Sequence, residues 1–470
     1  MAISSPGVGS GLDVNSIVTQ LVAIEKQPLQ PLQSKASTLQ AQLSLYGTIK
    51  SQVSALGDAA DALAQASGWT AQTATSSNTA AVTVTASASA TASAFSLSVT
   101  QMARAQTTAS MNVAVDAALG VPADTGTLAI DLGSWATGSF VASASPVSVS
   151  INGTDTLSTA AVKINAANAG VTATVLRSAG QERLVFQSSS TGAAAGFRIA
   201  AAGFAGLDSL SLTGLSNPAQ SASGMVLGQS GLNASVSLNG VVIDAATNTL
   251  SNVVPGLTLQ LQQVTTAPVQ IMVAQDQSAI QKNIQTLADA YSALSKTLAN
   301  ATRYVPGGAS GPLQGDSTTV GLQNLMRSIA GSSSTGSTYS RLSEVGLEQQ
   351  SDGSLKLNTA KLTTALSNVS NLKNLFATDN ASSATNGFGL KLRDFARGLV
   401  KYDGTVVTKS TALQGAISRN GAEQDRVTQR ATRVESQLRK QYSDLDATMA
   451  KMNALGSYVT AQLAQWNKAG

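Results

Sequence analysis

The stretch VTQRATRVESQLRKQYSDLDATMAKMNALGSYVTAQLAQW, residues 427–466, carries apolar side chains at steps of three, four or seven along most of its length. These positions are Val434, Leu438, Tyr442, Leu445, Met449, Met452, Leu455, Val459, Leu463 and Trp466. Such spacings place them on one face of an α-helix, and Arg and Glu crowd the other faces of its first half. The pattern is typical of a coiled-coil helix, whose apolar face is buried against a partner.

The opposite end of the chain also predicts a helix with an apolar face. Asp13 or Asn15 can cap a helix over residues 13–27. Its apolar face is formed by Ile17, Leu21 and Ile24. Because so short a helix is marginal alone in water, this face is expected to dock on the C-terminal helix, on another subunit or on another protein. An ordinary intramolecular helical bundle is the alternative.

A longer helical stripe follows this first helix. Pro28 and Pro31 are expected to interrupt the first helix. Gly68 is expected to end the helix that carries the second stripe. The stripe consists of Leu39, Leu43, Tyr46, Ile49, Val53, Leu56, Ala60 and Leu63. Helical periodicity returns after residue 274, in segments that contain Ile280 to Leu298, Val320 to Ile329 and Leu357 to Leu375. Both ends of the chain are therefore predicted to be helical.

The middle of the chain, from residue 73 to about 273, has a period of two. Apolar residues alternate there with Ser and Thr, which predicts antiparallel strands with one solvated face. Two Asn-Gly pairs, at residues 152–153 and 239–240, indicate turns beside strands. The alternating residues Leu257 to Leu261 are expected to pair with the stretch before residue 105. The block between them is therefore predicted to be an insertion, a domain nested within a domain.

These patterns predict an α+β fold: an elongated, nested multidomain chain with terminal coiled-coil helices, a helical bundle and inserted antiparallel β domains. The predicted divisions are a terminal helical region (1–40 and 435–470), a helical body (41–72 and 274–434), a β domain (73–111 and 225–273) and an outer β-rich domain (112–224).

Composition excludes several classes of function. Charged residues make up only 11% of the chain and the net charge is +4, without a basic tract, so a nucleic-acid partner is not predicted. His and Cys are absent, which removes the commonest metal ligands, the thiol nucleophile and the usual neutral-pH base. No cofactor and no enzyme activity are expected. The N-terminus lacks a signal peptide and no apolar run predicts membrane insertion, so export by a route without signal cleavage is expected.

The remaining motifs are weak indicators of chemistry. GVGSG, residues 7–11, is similar to a phosphate loop but lacks the preceding strand that aims such a loop, so a flexible leader is favoured. Asp352-Gly353 predicts a turn, because the alternating oxygen ligands of a calcium loop are missing. The few acids of the β region form no pattern that indicates a carboxylate-based hydrolase.

Several ordered segments carry a resemblance to a known family. GVGSGLDVNSIVTQLVAIEKQPLQPL (7–32), FSLSVTQMARAQTTAS (95–110), NGVVIDAATNTLSNVVPGLTLQL (239–261), GPLQGDSTTVGLQNLMRSI (311–329) and QYSDLDATMAKMNALGSYVTAQLAQW (441–466) resemble segments of the flagellar filament cap family, hook-associated protein 2. Residues 284–298 and 342–366 resemble further family segments, in family order. VKINAANAGVTATVLRSAGQERLVFQS (162–188) is similar to a small element shared by caps and some flagellins.

The resemblance implies a protein exported through the flagellar type III channel, which forms a homo-oligomer, pentamer or hexamer, at the distal tip of the filament. There it would promote flagellin polymerisation and prevent loss of monomers. It also implies three partners besides itself: flagellin, the hook-filament junction protein, and an export chaperone that binds the C-terminal helix. The resemblance further implies that the terminal region (1–40 and 435–470) is disordered in the monomer and helical in the assembly. The expected location is extracellular, at the flagellum tip.

The apolar faces of both ends are the candidate assembly residues. They are Leu12, Ile17, Leu21, Ile24, Leu438, Tyr442, Leu445, Met449, Met452, Val459 and Leu463. The alternative function is a surface adhesin that binds host glycans or mucin through its Ser/Thr-rich β domains.

Overall fold

The computed structural model describes residues 13–135, 139–212 and 224–467. The chain forms two compact units: residues 1–69 together with 277–470, and residues 70–276. It therefore leaves the first unit after Trp69, forms the second, and returns at Gln277. The predicted α+β class and nested order, with helical ends around an antiparallel β middle, are confirmed.

The described residues form the following elements. The helices are α1 Val14–Lys26, α2 Leu29–Ala64, α3 Leu157–Ala166, α4 Gln277–Thr302, α5 Ser317–Gly331, α6 Thr359–Leu366, α7 Val369–Ala377, α8 Phe388–Val400 and α9 Thr405–Trp466. The strands are β1 Gln72–Ser76, β2 Val82–Ala86, β3 Ser93–Gln101, β4 Thr107–Ala109, β5 Val113–Ala114, β6 Thr125–Ser134, β7 Val141–Ala142, β8 Val147–Asn152, β9 Val171–Ser178, β10 Gln181–Ser188, β11 Gly196–Ala202, β12 Val226–Gln229, β13 Ala234–Leu238, β14 Val241–Ala245, β15 Thr249–Ser251, β16 Leu257–Leu261, β17 Val269–Gln275, β18 Leu347–Gln349 and β19 Leu355–Leu357.

The core of the first unit lies between α2 and the helices α4 to α9. The predicted stripe of α2 supplies Tyr46, Ile49, Val53, Leu56, Ala60 and Leu63, all fully buried. Two glycines let α2 and α8 cross closely: a Cβ at Gly57 would lie 3.1 Å from Ala396 Cβ, and one at Gly389 would lie 2.9 Å from Ala64 N. Small residues at this crossing therefore set the distance between the two helices.

Several details of the predicted helices are corrected by the structure. Pro31 does not interrupt a helix. It lies in the first turn of α2, where a backbone N–H would have no acceptor within the helix, so proline is tolerated. Helix α2 ends at Ala64, before the predicted stop at Gly68. The segment Leu357 to Leu375 is not one helix but α6 and α7, separated by Ser367 and Asn368, and Asn368 caps α7.

The second unit contains the predicted antiparallel sheets. One sheet has the order β1-β17-β3-β13-β14. Strand β16 pairs with β2, as expected for Leu257 to Leu261, and β17 pairs with both β1 and β3. Asn239 and Gly240, both at positive φ, form the turn between β13 and β14. The sheet that contains β3 and the sheet that contains β16 share a buried cluster, which includes Phe95, Leu97 and Leu259.

The nested part of this unit surrounds a second hydrophobic cluster. Helix α3 follows the turn after β8, and β9 and β10 form a hairpin across Ala179 and Gly180. Phe186 and Phe197 lie at the centre of the cluster, with ring centroids 6.3 Å apart. Buried acids of this region are paired: Asp131 with Arg198, Glu182 with Arg177, and Asp155 with Lys163.

Candidate assembly surface

Helix α9 begins at Thr405, so the helix predicted from Val427 is only its second part. Its first part packs in the core through Val406 and Leu413. Further along, α1 covers the apolar face of α9. The resulting cluster consists of Val14, Val18, Val22 and Ala431, with Leu438 and Tyr442 packed against it.

Polar contacts fix α1 antiparallel to α9. Near the end of α1, Glu25 Oε2 accepts from Arg430 Nε at 2.9 Å. Near its start, Asn15 Oδ1 accepts from Arg439 Nη1 at 3.1 Å. Asp13 caps the helix, because its carboxylate accepts the N–H of Ser16 at 3.0 Å. Exposed pairs of this kind contribute under about 1 kcal/mol each, so they fix orientation while the apolar cluster supplies most of the stability.

Beyond Tyr442 the apolar face of α9 continues, but no described residue covers it. Leu438, Leu445, Met452 and Val459 follow one another at steps of seven, so they share one side of the helix. The large side chains exposed along this part are Leu445, Met449, Met452, Leu455, Tyr458, Val459 and Leu463, from 36% for Met449 to 64% for Leu455. We call these seven residues the C-terminal stripe. Contiguous exposed apolar surface of this kind marks an interaction site.

The predicted assembly residues fall into three groups. Leu438 and Tyr442 pack against α1, and Leu445, Met449, Met452, Val459 and Leu463 belong to the uncovered C-terminal stripe. On α1, Leu21 and Ile24 are exposed and Ile17 is half-buried. Leu12 lies outside the described residues. The assembly role of all these residues stays a prediction.

The face of α1 that contacts α9 was not the face that the sequence suggested. Val14, Val18 and Val22 are buried there, while the face with Ile17, Leu21 and Ile24 is turned away from the cluster. The signal for the valines is present, because their spacing of four residues puts them on one side of the helix. When one short helix has two apolar faces, periodicity alone does not show which of them packs against a neighbouring helix.

A hydrogen-bonded carboxylate anchors the base of α9 to the helical core. Asp316 caps α5 by accepting from Thr319 N at 2.9 Å, and it accepts from the Tyr46 hydroxyl at 2.7 Å. Lys409 of α9 lies 2.5 Å from its second oxygen. Burial by itself would raise the pKa of Asp316, but the hydrogen bonds from Lys409, Tyr46 and Thr319 outweigh it and lower the pKa to about 2. One carboxylate thus joins α2, α5 and α9.

We expect Asp316→Asn to destabilise the first unit in a pH-dependent way. The carboxylate has a lower pKa folded than unfolded (3.8), so its contribution is full above about pH 4 and is lost as pH falls towards 2. A shift of nearly two pKa units corresponds to about 2 kcal/mol at pH 7. Urea denaturation at pH 7 and pH 2 measures the difference, with Asp425→Asn on an exposed site of α9 as control. Equal destabilisation by Asp316→Asn at pH 7 and pH 2 would contradict this assignment.

The described residues contain no group of three or more Asp and Glu side chains placed to hold a metal ion. Asp352 lies in the β18–β19 turn, where it accepts from Ser354 N at 2.9 Å, so the predicted turn at Asp352-Gly353 is observed. In the described part of the chain, no helix has the length and apolarity to cross a membrane.

Comparisons with known proteins agree on one family. The model of the flagellar hook-associated protein 2 N-terminus matches residues 10–106, that of its C-terminus matches residues 231–454, and the flagellin hook IN motif matches residues 136–190. The chain is 31% identical to flagellar hook-associated protein 2 of Escherichia coli K12, with 98% of each chain covered. It is 28% identical to that of Salmonella typhimurium, with 99% of each covered.

Solved structures give the same result. The crystal structure of the flagellar cap protein FliD D1-D2-D3 domains from Escherichia coli matches with a TM-score of 0.59 and 28% identity, over 79% of this chain and 99% of that one. The likeness therefore extends over both sequence and fold. The chain belongs to the flagellar hook-associated protein 2 family.

Proposed function

We propose that this filament cap protein assembles through the C-terminal stripe of α9. As a member of its family, the chain is a flagellar filament cap, which acts with flagellin, forms oligomers and works outside the cell at the filament tip. The observation that carries the proposal is the uncovered apolar face beyond Tyr442. The adhesin alternative gains no support from the relatives, whose names all concern the flagellum.

The energetics favour the stripe as the main contact. Its seven side chains are roughly half exposed, so covering them stabilises an assembly by about 1 kcal/mol each, or several kcal/mol together. The ion pairs beside it on α9, such as Glu435 with Arg439 at 2.9 Å, contribute much less because they are exposed. The exposed face of α1, with Leu21 and Ile24, adds a second apolar surface for a neighbouring subunit or for the filament.

The same surface supports our proposal that an export chaperone is a partner of this chain. An apolar stripe that is covered only in the assembly is an aggregation hazard in the cytoplasm. We infer that the export chaperone covers the C-terminal stripe until the chain enters the type III channel. The cap then binds first to the hook-filament junction protein, before flagellin arrives.

The finer organisation follows the sequence. We propose the four-part division into residues 1–40 with 435–470, 41–72 with 274–434, 73–111 with 225–273, and 112–224. We also propose that the protein has no catalytic role, since it has no His and no Cys and the acids Asp131, Asp155 and Glu182 of its second unit are ion-paired.

The subunit number is tested by electron microscopy of the isolated protein and of filament tips. We expect a ring of five or six copies at the tip, because the resemblance implies a pentamer or hexamer. Native mass spectrometry of the isolated cap should give the same number. Filament growth in a strain that lacks the protein, without release of flagellin monomer, would contradict the capping role, and a ring of another size would contradict the stoichiometry.

A further inference from the structure

A small cavity lies between the C-terminal part of α5, the α7–α8 loop and α8. Its volume is about 350 Å³. The side chains of Ile329 and Phe395 contribute apolar lining, and Ser332, Asn386 and Lys391 contribute polar groups. All these residues lie in the first unit, about its helical core. The cavity is unrelated to the C-terminal stripe.

Lys391 is the unusual residue of this cavity. It is 9% exposed, and no carboxylate of the described residues lies within ion-pair distance of its ammonium group. The group donates to Ser332 Oγ at 3.0 Å and to the Ser333 carbonyl at 2.7 Å, just beyond the C-terminus of α5. Burial lowers the pKa of Lys391. The group also lies 5.1 Å from the centroid of the Phe388 ring. An ammonium has three donors, so its hydrogen bonds to Ser332 and Ser333 account for two of them.

The carboxylate nearest along the chain does not neutralise this charge. Asp394 lines the cavity, but it is exposed and ion-paired with Arg393 at 2.8 Å. The partial negative charge at the end of α5 favours a cation there, but it amounts to only about half an elementary charge and does not neutralise Lys391. A buried cation with this environment is stabilised further by an anionic ligand.

We propose that this cavity binds a single carboxylate group carried on a short aliphatic stem. The carboxylate would accept from the third N–H of Lys391, as a charge-assisted hydrogen bond that adds to the contact with the Phe388 ring, and the stem would lie against Ile329 and Phe395. Two sources have this chemistry: a free short-chain carboxylic acid, and a Glu side chain from a second copy of the chain. The cavity volume suits either, because both place only a few carbon atoms beside the carboxylate.

The probe is sodium butyrate added to the full-length protein, measured by isothermal calorimetry and by the melting temperature. Butyramide, which has the same shape without charge, and sodium chloride at equal ionic strength are the controls. We expect binding of butyrate only, with Kd at least about tenfold weaker in Lys391→Met, because a hydrogen bond to a charged group is lost. Ala384→Phe, on the exposed rim of the cavity, should weaken binding while it leaves Lys391 intact.

Sedimentation in the same solutions separates the two sources. Dispersal of oligomers by butyrate, absent in Lys391→Met, supports a Glu of a second copy, whereas binding with unchanged oligomers supports a free acid. The proposal is overturned if butyrate shifts the melting temperature no more than sodium chloride does. It is also overturned if Lys391→Met and Ala384→Phe both bind butyrate as the unmodified protein does, because Lys391 would then serve only to cap α5.

Discussion

Cells that carry Leu445→Asp together with Met452→Asp are expected to release flagellin into the medium as monomer and to make few or no long filaments. Both side chains belong to the C-terminal stripe, where they are 45% and 62% exposed, and neither belongs to a buried cluster of the described residues. The substitutions therefore remove little packing within the protein. They place two carboxylates on a face that the proposal buries in the assembly.

The size of the effect follows from desolvation. Burying an unpaired carboxylate costs several kcal/mol, so assembly through the stripe should weaken by more than about a hundredfold. The matched control is Ala447→Asp with Ala454→Asp, two exposed positions also seven residues apart on the opposite side of α9. Leu438, a candidate from the sequence, is left unchanged because it packs against α1.

Three measurements check this prediction. Circular dichroism should show unchanged helix content and melting for both double variants, sedimentation should show loss of oligomers only for Leu445→Asp with Met452→Asp, and immunoblots should show flagellin in the medium of that strain alone. Long filaments with normal retention of flagellin would contradict the assembly role of the stripe. Equal defects from the Ala447 and Ala454 variants would show that added negative charge, rather than this face, is responsible.

Apolar periodicity is sufficient to predict only part of helix α9. It predicted the second half of α9, because Leu438, Leu445 and Met452 keep a strict step of seven. It missed the first half, where polar Asn420 and Gln424 interrupt the pattern. Asn420 is nevertheless 6% exposed, and its Oδ1 accepts from Gln424 Nε2 at 2.7 Å. This hydrogen-bonded polar pair interrupts the apolar periodicity of the sequence, although the helix itself is continuous.

Other elements depend on contacts that lie far apart in sequence. Helix α8 was not predicted, although its buried residues Phe388, Leu392 and Ala396 are spaced by four, because two glycines in its 13 residues weaken the helical signal. Gly389 is explained by the backbones of α2 and α7, which lie too close for a side chain, and α2 is more than 300 residues away along the chain. The anchor at Asp316 likewise joins three helices that no local pattern connects.

The crossing of α8 with α2 provides the second large prediction. A side chain at Gly389 would meet the backbone of α2 and α7: its Cβ would lie 2.9 Å from Ala64 N, 2.9 Å from Phe376 O and 3.1 Å from Ala60 O. Backbone atoms cannot rotate away as a flexible side chain does. Gly389→Val should therefore force α8 outward and lower the free energy of unfolding of the first unit by about 3 kcal/mol or more.

Gly398 is the matched control, because it lies in the same helix and a Cβ there would meet no atom within 4 Å. Gly398→Ala should stabilise the helix by about 0.5 to 1 kcal/mol, since Ala has the higher helix propensity. Both substitutions enlarge a glycine in α8. Their opposite effects would separate the cost of crowding from any effect of the helix backbone.

Trp69 reports on this crossing. It is buried in the first unit, its ring centroid lies 5.9 Å from that of Phe376, and its indole N–H donates to the Leu63 carbonyl at 2.9 Å. With Trp135 and Trp466 changed to Phe, urea unfolding followed by Trp69 fluorescence measures the first unit. Gly389→Val should move this transition to lower urea. An unmoved transition would mean that α2 and α8 can move apart without cost. The stability of the helical core that holds the first part of α9 would then not depend on this close contact.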